Sequence, residues 1–110
     1  MKIVTIAILC IISTYIHAGG ASGKGEIDYI YQRSVDGHLA VYKKDGNWAN
    51  PDNCGSSERM VLTRDNPSRN EFYSALLASK ISGRDINAWL VGCVDWNGTT
   101  YPEISGLYTY

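Results

Sequence analysis

The residues of this chain best able to touch a ligand are two tryptophans set among small polar side chains. Trp48 lies in Asp45-Gly46-Asn47-Trp48-Ala49-Asn50, and Trp96 lies in Asp95-Trp96-Asn97-Gly98-Thr99. An indole in such a setting offers an apolar face to a sugar ring while neighbouring amides and hydroxyls bond the sugar's hydroxyl groups. Trp48, Trp96, Asn97 and Thr99 are therefore the candidate ligand-binding residues. A loop tryptophan in a small domain can equally fold back over a core edge, and Trp89, in a strand-like stretch, suits core or inter-subunit packing. Asn97-Gly98-Thr99 also matches an N-glycosylation sequon, which matters only in a eukaryotic secretory route.

Acid–base chemistry is poorly provided for. The chain holds two histidines, His17 and His38; the second falls in a predicted hairpin strand and reads as an ordinary surface side chain, with no second base to complete a triad. Of the three cysteines, Cys54 and Cys93 have no further cysteine at metal-ligand spacing, and His38 precedes Cys54 by sixteen residues. No metal, no cofactor and no catalytic residue is expected.

What these residues meet depends on where the chain goes. Met1-Lys2, an apolar run from Ile3 to Ile12 and then Ser13-Thr14-Tyr15-Ile16-His17-Ala18 have the layout of a cleaved signal peptide over residues 1–18. The run is too short for a spanning helix, which needs about twenty apolar residues. The cut falls after Ala18 or after Ala21, and the mature protein is expected to be secreted or periplasmic. Cys10 and His17 leave with the leader. Loss of Lys2 leaves 9 Lys and Arg against 11 Asp and Glu, a formal charge of −2, which argues against a general nucleic-acid binder. The two cysteines that remain most simply form one disulfide, Cys54–Cys93, in an oxidising compartment.

About ninety mature residues make one domain with a single core. Residues 19–25, Gly-Gly-Ala-Ser-Gly-Lys-Gly, read as a flexible lead-in, and 26–110 as the folded domain. Ile27, Tyr29 and Tyr31 alternate with Asp28, Ile30 and Gln32, and Leu39 and Val41 alternate with His38, Ala40 and Tyr42 across Asp36-Gly37, which predicts a β-hairpin. A loop rich in turn formers runs to Gly55, followed by a strand over 59–63. One helix begins at Asn66-Pro67-Ser68, where Ser68 and Glu71 form a capping-box pattern, carries the stripe Phe72, Tyr73, Leu76, Leu77 and Ile81, and stops at Gly83. Two further strands follow, Ile86 to Cys93 and Ile104 to Tyr110, separated by a turn-forming loop over 95–102 with Asn97-Gly98 at its tip. The chain is thus mainly β with one helix, in the order β-β-β-α-β-β. This is the order of the OB-fold, a five-stranded, partly open barrel; an open antiparallel sheet with the helix across one face has the same tally.

From Phe72 to Tyr110 the chain also resembles the cell-binding B subunits of bacterial toxins with five B chains. The subtilase-cytotoxin and typhoid-toxin type is matched by Phe72-Tyr73-Ser74-Ala75-Leu76-Leu77-Ala78, Ser82-Gly83, Ile86 to Leu90 and Tyr101-Pro102. A weaker echo of the cholera and heat-labile enterotoxin B subunits lies in Cys93-Val94, Trp96-Asn97 and Pro102. The resemblance implies a non-enzymatic homo-oligomer that binds a glycan or other cell-surface ligand, partnered by an A subunit. It covers less than half the mature chain. Where the first type uses a serine and a tyrosine to hold sialic acid, this chain has Gly25-Glu26 and Leu90, so that specificity does not carry over. Asp95 is inserted before Trp96, Thr99 stands near the enterotoxin lysine position, and Cys93 pairs with Cys54 rather than with a cysteine near the N-terminus. Two other readings stand beside this one: a stand-alone exported protein acting by protein–protein contact, as an inhibitor or envelope-associated factor, and a small secreted ribonuclease. The ribonucleases have a similar single helix and antiparallel sheet, but place a His near the C-terminus, where this chain has Glu103 and neither His nor Arg.

Overall fold

The computed structural model describes residues 19–109, without the side chain of Thr109; the expected leader over 1–18 lies outside the described residues. Six strands and one helix follow in order: β1 (Gly20–Ala21), β2 (Gly25–Gln32), β3 (Leu39–Lys43), β4 (Arg59–Leu62), α1 (Arg69–Ser82), β5 (Asp85–Trp96) and β6 (Thr99–Thr109). β2 pairs with β3, β3 with β4, and β5 with both β6 and β2, all antiparallel, while β4 meets β6 in parallel at Val61 and Glu103. The five long strands therefore close a ring in the order β2-β3-β4-β6-β5, the OB-fold-like arrangement, rather than an open sheet.

Closure gives each strand an inner and an outer face. The inner face holds Ile27, Leu39, Val41, Met60, Leu62, Ile86, Ala88, Leu90 and Ile104, with Trp48 and Leu76 added from the long loop and the helix. α1 packs on β2, β5 and β6. Leu76 is fully buried, and Phe72 and Tyr73 lie against the same core, but Ile81, at the far end of the stripe, is exposed. The helix is not started by the Ser68–Glu71 capping box. Ser68 makes no side-chain cap; Asn66 instead accepts the Ser68 N–H at 2.9 Å through Oδ1 and donates through Nδ2 to Ile104 O at 3.1 Å. One amide thus opens the helix and ties it to β6. The C-terminal stop at Gly83 is as expected, with φ +69° and the left-handed conformation that glycine adopts without a Cβ clash.

Two further expectations are corrected. The lead-in over 19–25 is held: β1 pairs with Leu90 and Trp89 of β5, and Ser22 is buried, its hydroxyl accepting the Ala88 N–H at 2.8 Å. Composition predicts no burial there because these residues carry little apolar surface; the edge of β5 instead supplies backbone partners, for which composition is irrelevant. The loop expected over 95–102 is mostly strand. β5 and β6 run on until Trp96 pairs with Thr99, leaving Asn97-Gly98, both with positive φ, as a two-residue hairpin turn.

Cys54 and Cys93 form a disulfide with Cα atoms 5.7 Å apart, fastening the loop before β4 to the middle of β5. Asn50 clamps the same loop through paired 2.8 Å hydrogen bonds with the backbone N–H and C=O of Cys54. In the chain-entropy picture, closing a loop of this length stabilises the fold by about 4 kcal/mol. Urea unfolding with and without reductant should show a loss of that order, and a Cys54→Ser/Cys93→Ser variant should unfold at the midpoint of the reduced protein.

Candidate functional site

The outer face carries a second side-chain cluster, generated by the alternation that fills the core. Between the inward Leu39, Val41, Met60 and Leu62 stand Ala40, Tyr42, Arg59 and Val61, with Ala40 opposite Val61 and Tyr42 opposite Arg59. Trp96 and Val94 of β5 and Tyr101 of β6 complete it. At its centre the Arg59 guanidinium carbon lies 4.5 Å from the Tyr101 ring centroid, 5.0 Å from Tyr42 and 5.3 Å from Trp96. One guanidinium nitrogen donates to Glu58 Oε1 at 2.8 Å, while Nε is buried with no hydrogen-bond partner among the described residues. Three π-faces and one carboxylate thus replace water around this cation. Burial would lower the Arg59 pKa, but the Glu58 hydrogen bond and the neighbouring Tyr42, Tyr101 and Glu58 raise it overall. Burial raises that of Tyr42, against the opposing pull of Arg59. Both shifts keep Arg59 a cation and Tyr42 a neutral phenol at neutral pH.

Two loops flank this face. In the β2–β3 loop, Arg33 stacks over Trp96 at 5.3 Å, donates to Asn97 Oδ1 at 2.9 Å and lies 3.8 Å from Asp36. His38 sits 6.3 Å from the Trp96 ring; its Nδ1 accepts the Arg64 N–H at 3.1 Å, and Nε2 lies 3.9 Å from Asp36. That ring is fixed by the hairpin, and its Nδ1 lone pair is occupied. The other loop is the Asn97-Gly98 turn. Beside them, along the outer face of β2, Tyr29 stacks on Tyr42 with centroids 4.2 Å apart, and Tyr31 lies 6.2 Å from Trp96. In OB-folds the face of the second and third strands, between the first–second and fourth–fifth loops, is where oligosaccharides and oligonucleotides bind. Here those parts are β3, β4, residues 33–38 and residues 97–98.

The sequence candidates divide between two places. Trp96, Asn97 and Thr99 come together at the β5–β6 tip, with Asn97 exposed and Thr99 half-buried. Trp96, however, is only 5 % exposed, enclosed by Arg33, Arg59, Tyr31 and His38. Trp48 is on the other side of the sheet, 2 % exposed in the main core, its Nε1 donating to Val41 O at 2.8 Å. Neither indole presents a free face, so neither is the sugar-stacking platform that its loop setting suggests. The exposed rings beside this cluster are Tyr29 and Tyr31, at 48 % and 51 %, which the alternation read from sequence groups with Ile27 on one face. A bulge between Ile27 and Tyr29 shifts the register by one residue, so that Ile27 and Ile30 pack on the core and the tyrosines turn outward. The three-residue spacing of the two isoleucines is the signal that could have revealed it.

Among the described residues no group of three or more His, Cys, Asp or Glu is arranged to hold a metal ion, and no helix is long and apolar enough to cross a membrane. No family model matches the chain, and neither a curated protein nor a solved structure matches it significantly.

Removing the Trp96 ring should empty the centre of the outer cluster and expose Arg59. Trp96→Ala is expected to cost about 3–5 kcal/mol, lowering the melting temperature by more than about 10 °C for a domain of this size. Asn97→Gly keeps the left-handed turn and should stay within about 0.5 kcal/mol in the same measurement.

Proposed function

We propose that the protein is an exported, non-enzymatic binding protein of the toxin B-subunit kind, whose ligand is a glycan or other carbohydrate-bearing cell-surface molecule seated on the outer face of β2 and β3. What carries this reading is the pair of exposed rings on β2, Tyr29 and Tyr31, the second lying against the same Trp96 that Arg33 covers on an OB-like sheet. Two phenol rings exposed on one strand offer apolar faces that a flat ligand can cover.

The polar groups favour a polyol over a polyanion. Arg33 lies against Asp36 and Asn97, and Arg59 against Glu58. The face therefore alternates donors and acceptors instead of presenting the positive stripe that phosphate backbones require. Sugar hydroxyls donate and accept, and use both. This alternation supports a neutral saccharide over a nucleic acid as the ligand. The disulfide is compatible with a location outside the cytoplasm, and a leader over 1–18 would deliver the chain there.

The resemblance over 72–110 further suggests a homo-oligomer serving an A subunit. The surface best suited to self-association is the outer side of the β5–β6 ribbon, where Trp89 and Tyr108 are diagonal neighbours, 40 % and 56 % exposed. The same pair favours the second reading, a stand-alone exported protein that acts by protein–protein contact.

Glycan-array binding tests the first reading. Tyr31→Ala and Tyr29→Ala should each weaken binding at least about tenfold while shifting the melting temperature far less than Trp96→Ala. Wild-type protein that binds no glycan would leave the contact-protein reading in its place. Sedimentation at micromolar concentration should show a mass several times that of the monomer, reduced by Trp89→Ser with Tyr108→Ser; a wild-type monomer would count against the B-subunit kind.

A further inference from the structure

The first described residue is docked with unusual care. The Gly19 backbone nitrogen lies 3.3 Å from Asp52 Oδ1, and the other oxygen of that carboxylate accepts the Gly92 N–H at 2.7 Å. A Cβ on Gly19 would stand 2.7 Å from both Leu90 O and Val91 Cγ2, and one on Gly20 would stand 2.8 Å from Pro51 Cβ. Position 19 therefore accepts only a residue without a side chain, and it sits in a slot whose end is a carboxylate. Next to it β1 pairs with β5, Ser22 N donates to Ala88 O at 2.7 Å, and Ala49 N donates to Ser22 O at 2.9 Å. The strand just inside the expected cleavage site is thus part of the fold.

We infer that Asp52 is a receptor for the N-terminal ammonium created when the leader is removed between Ala18 and Gly19. This rests on reading residues 1–18 as a cleaved leader. Hydrolysis of the Ala18–Gly19 amide by a peptidase that accepts a small residue before the cut consumes one water, leaves a carboxylate on Ala18 and gives Gly19 an α-ammonium. The nitrogen that donated a neutral amide hydrogen bond to Asp52 becomes a cation at the same place, and the contact becomes a charge-assisted pair. The groups that wall the slot at the Gly19 Cα, Leu90 O, Val91 Cγ2 and Trp89 Nε1, do not titrate, and the carboxylate within hydrogen-bond reach of the nitrogen is Asp52. The Asp52 carboxylate then joins three points at once: the mature N-terminus, the glycine that precedes Cys93, and the loop that carries Cys54. Cleavage after Ala21 would remove β1 and leave this receptor without its occupant.

The test begins with the intact mass of the exported protein, which should correspond to a chain starting at Gly19. A chain starting at Ser22 overturns the inference while sparing the leader; a chain retaining residues 1–18 overturns both. Protein starting at Gly19 is then compared with its Nα-acetylated form, each with and without Asp52→Asn, in urea unfolding. Acetylation should raise the unfolding constant about threefold in the wild type and leave the Asp52→Asn protein unchanged; equal effects in both backgrounds overturn the pairing. Should Asp52→Asn not fold, the pH profile of α-amine acylation in the wild type decides. A carboxylate partner holds the Gly19 amine above the ordinary α-amino range of about 7.7–8.0, and a value within that range overturns the inference.

Discussion

Closing five strands into a ring gives each of them one face toward a shared interior, and nearly everything else in this molecule follows from which residues take that face. Leu39 and Val41, Met60 and Leu62, and Ile86, Ala88 and Leu90 are inward by alternation, so Ala40, Tyr42, Arg59 and Val61 are outward whatever their chemistry. The outward set did not stay bare. Trp96 and Tyr101, brought in by the long β5–β6 hairpin, cover Ala40 and Val61 and form a second small core outside the first. The protein therefore covers much of both sides of β3 and β4, while the rings of Tyr29 and Tyr31 stay exposed on β2, as those of Trp89 and Tyr108 do on β5 and β6.

Arg59 is the costly member of this arrangement. A guanidinium withdrawn from water needs compensation, and here it comes from three ring faces and a single carboxylate. The same enclosure immobilises the floor of the face next to Tyr29 and Tyr31. A binding platform gains when its side chains have already given up their freedom before a ligand arrives, because that entropy is then charged to folding rather than to association. Arg33, held at once by Trp96, Asn97 and Asp36, extends this order into both flanking loops.

The loop over 44–58 has no regular structure, yet it is fastened at many points. Trp48 is driven into the core and anchored to Val41 O, Asn50 clamps Cys54, Cys54 is bonded to Cys93, and Asp52 holds Gly92 and Gly19. A small domain with one core gains much from such cross-links, since each removes conformations from the unfolded chain or satisfies a buried backbone group. Retention of the lead-in as β1 belongs to the same economy: the edge of β5 would otherwise present unpaired amides and carbonyls there.

Short-range determinants were legible in the residues themselves. The helix stop at Gly83, the Asn97-Gly98 turn, the order of strands and helix and the pairing of Cys54 with Cys93 depend on adjacent backbone dihedrals, or on there being only two cysteines after residue 18. Of the candidate residues, the adjacency of Trp96, Asn97 and Thr99 around one turn was legible too. The tertiary structure alone decided sidedness. Tyr29 and Tyr31 alternate with Ile27 in the sequence and would share its face, but pairing with β3 inserts a bulge that reverses their direction. Trp48 and Trp96 sit among turn formers and look exposed, but the hydrophobic gain of burying an indole is realised against strands distant in sequence, which no local pattern records. The capping box at Ser68 lost to Asn66 for a similar reason, since Asn66 also reaches Ile104 O across to β6. Local rules set where the chain turns; the ring, by choosing which side of each strand is inside, determined which residues remain exposed.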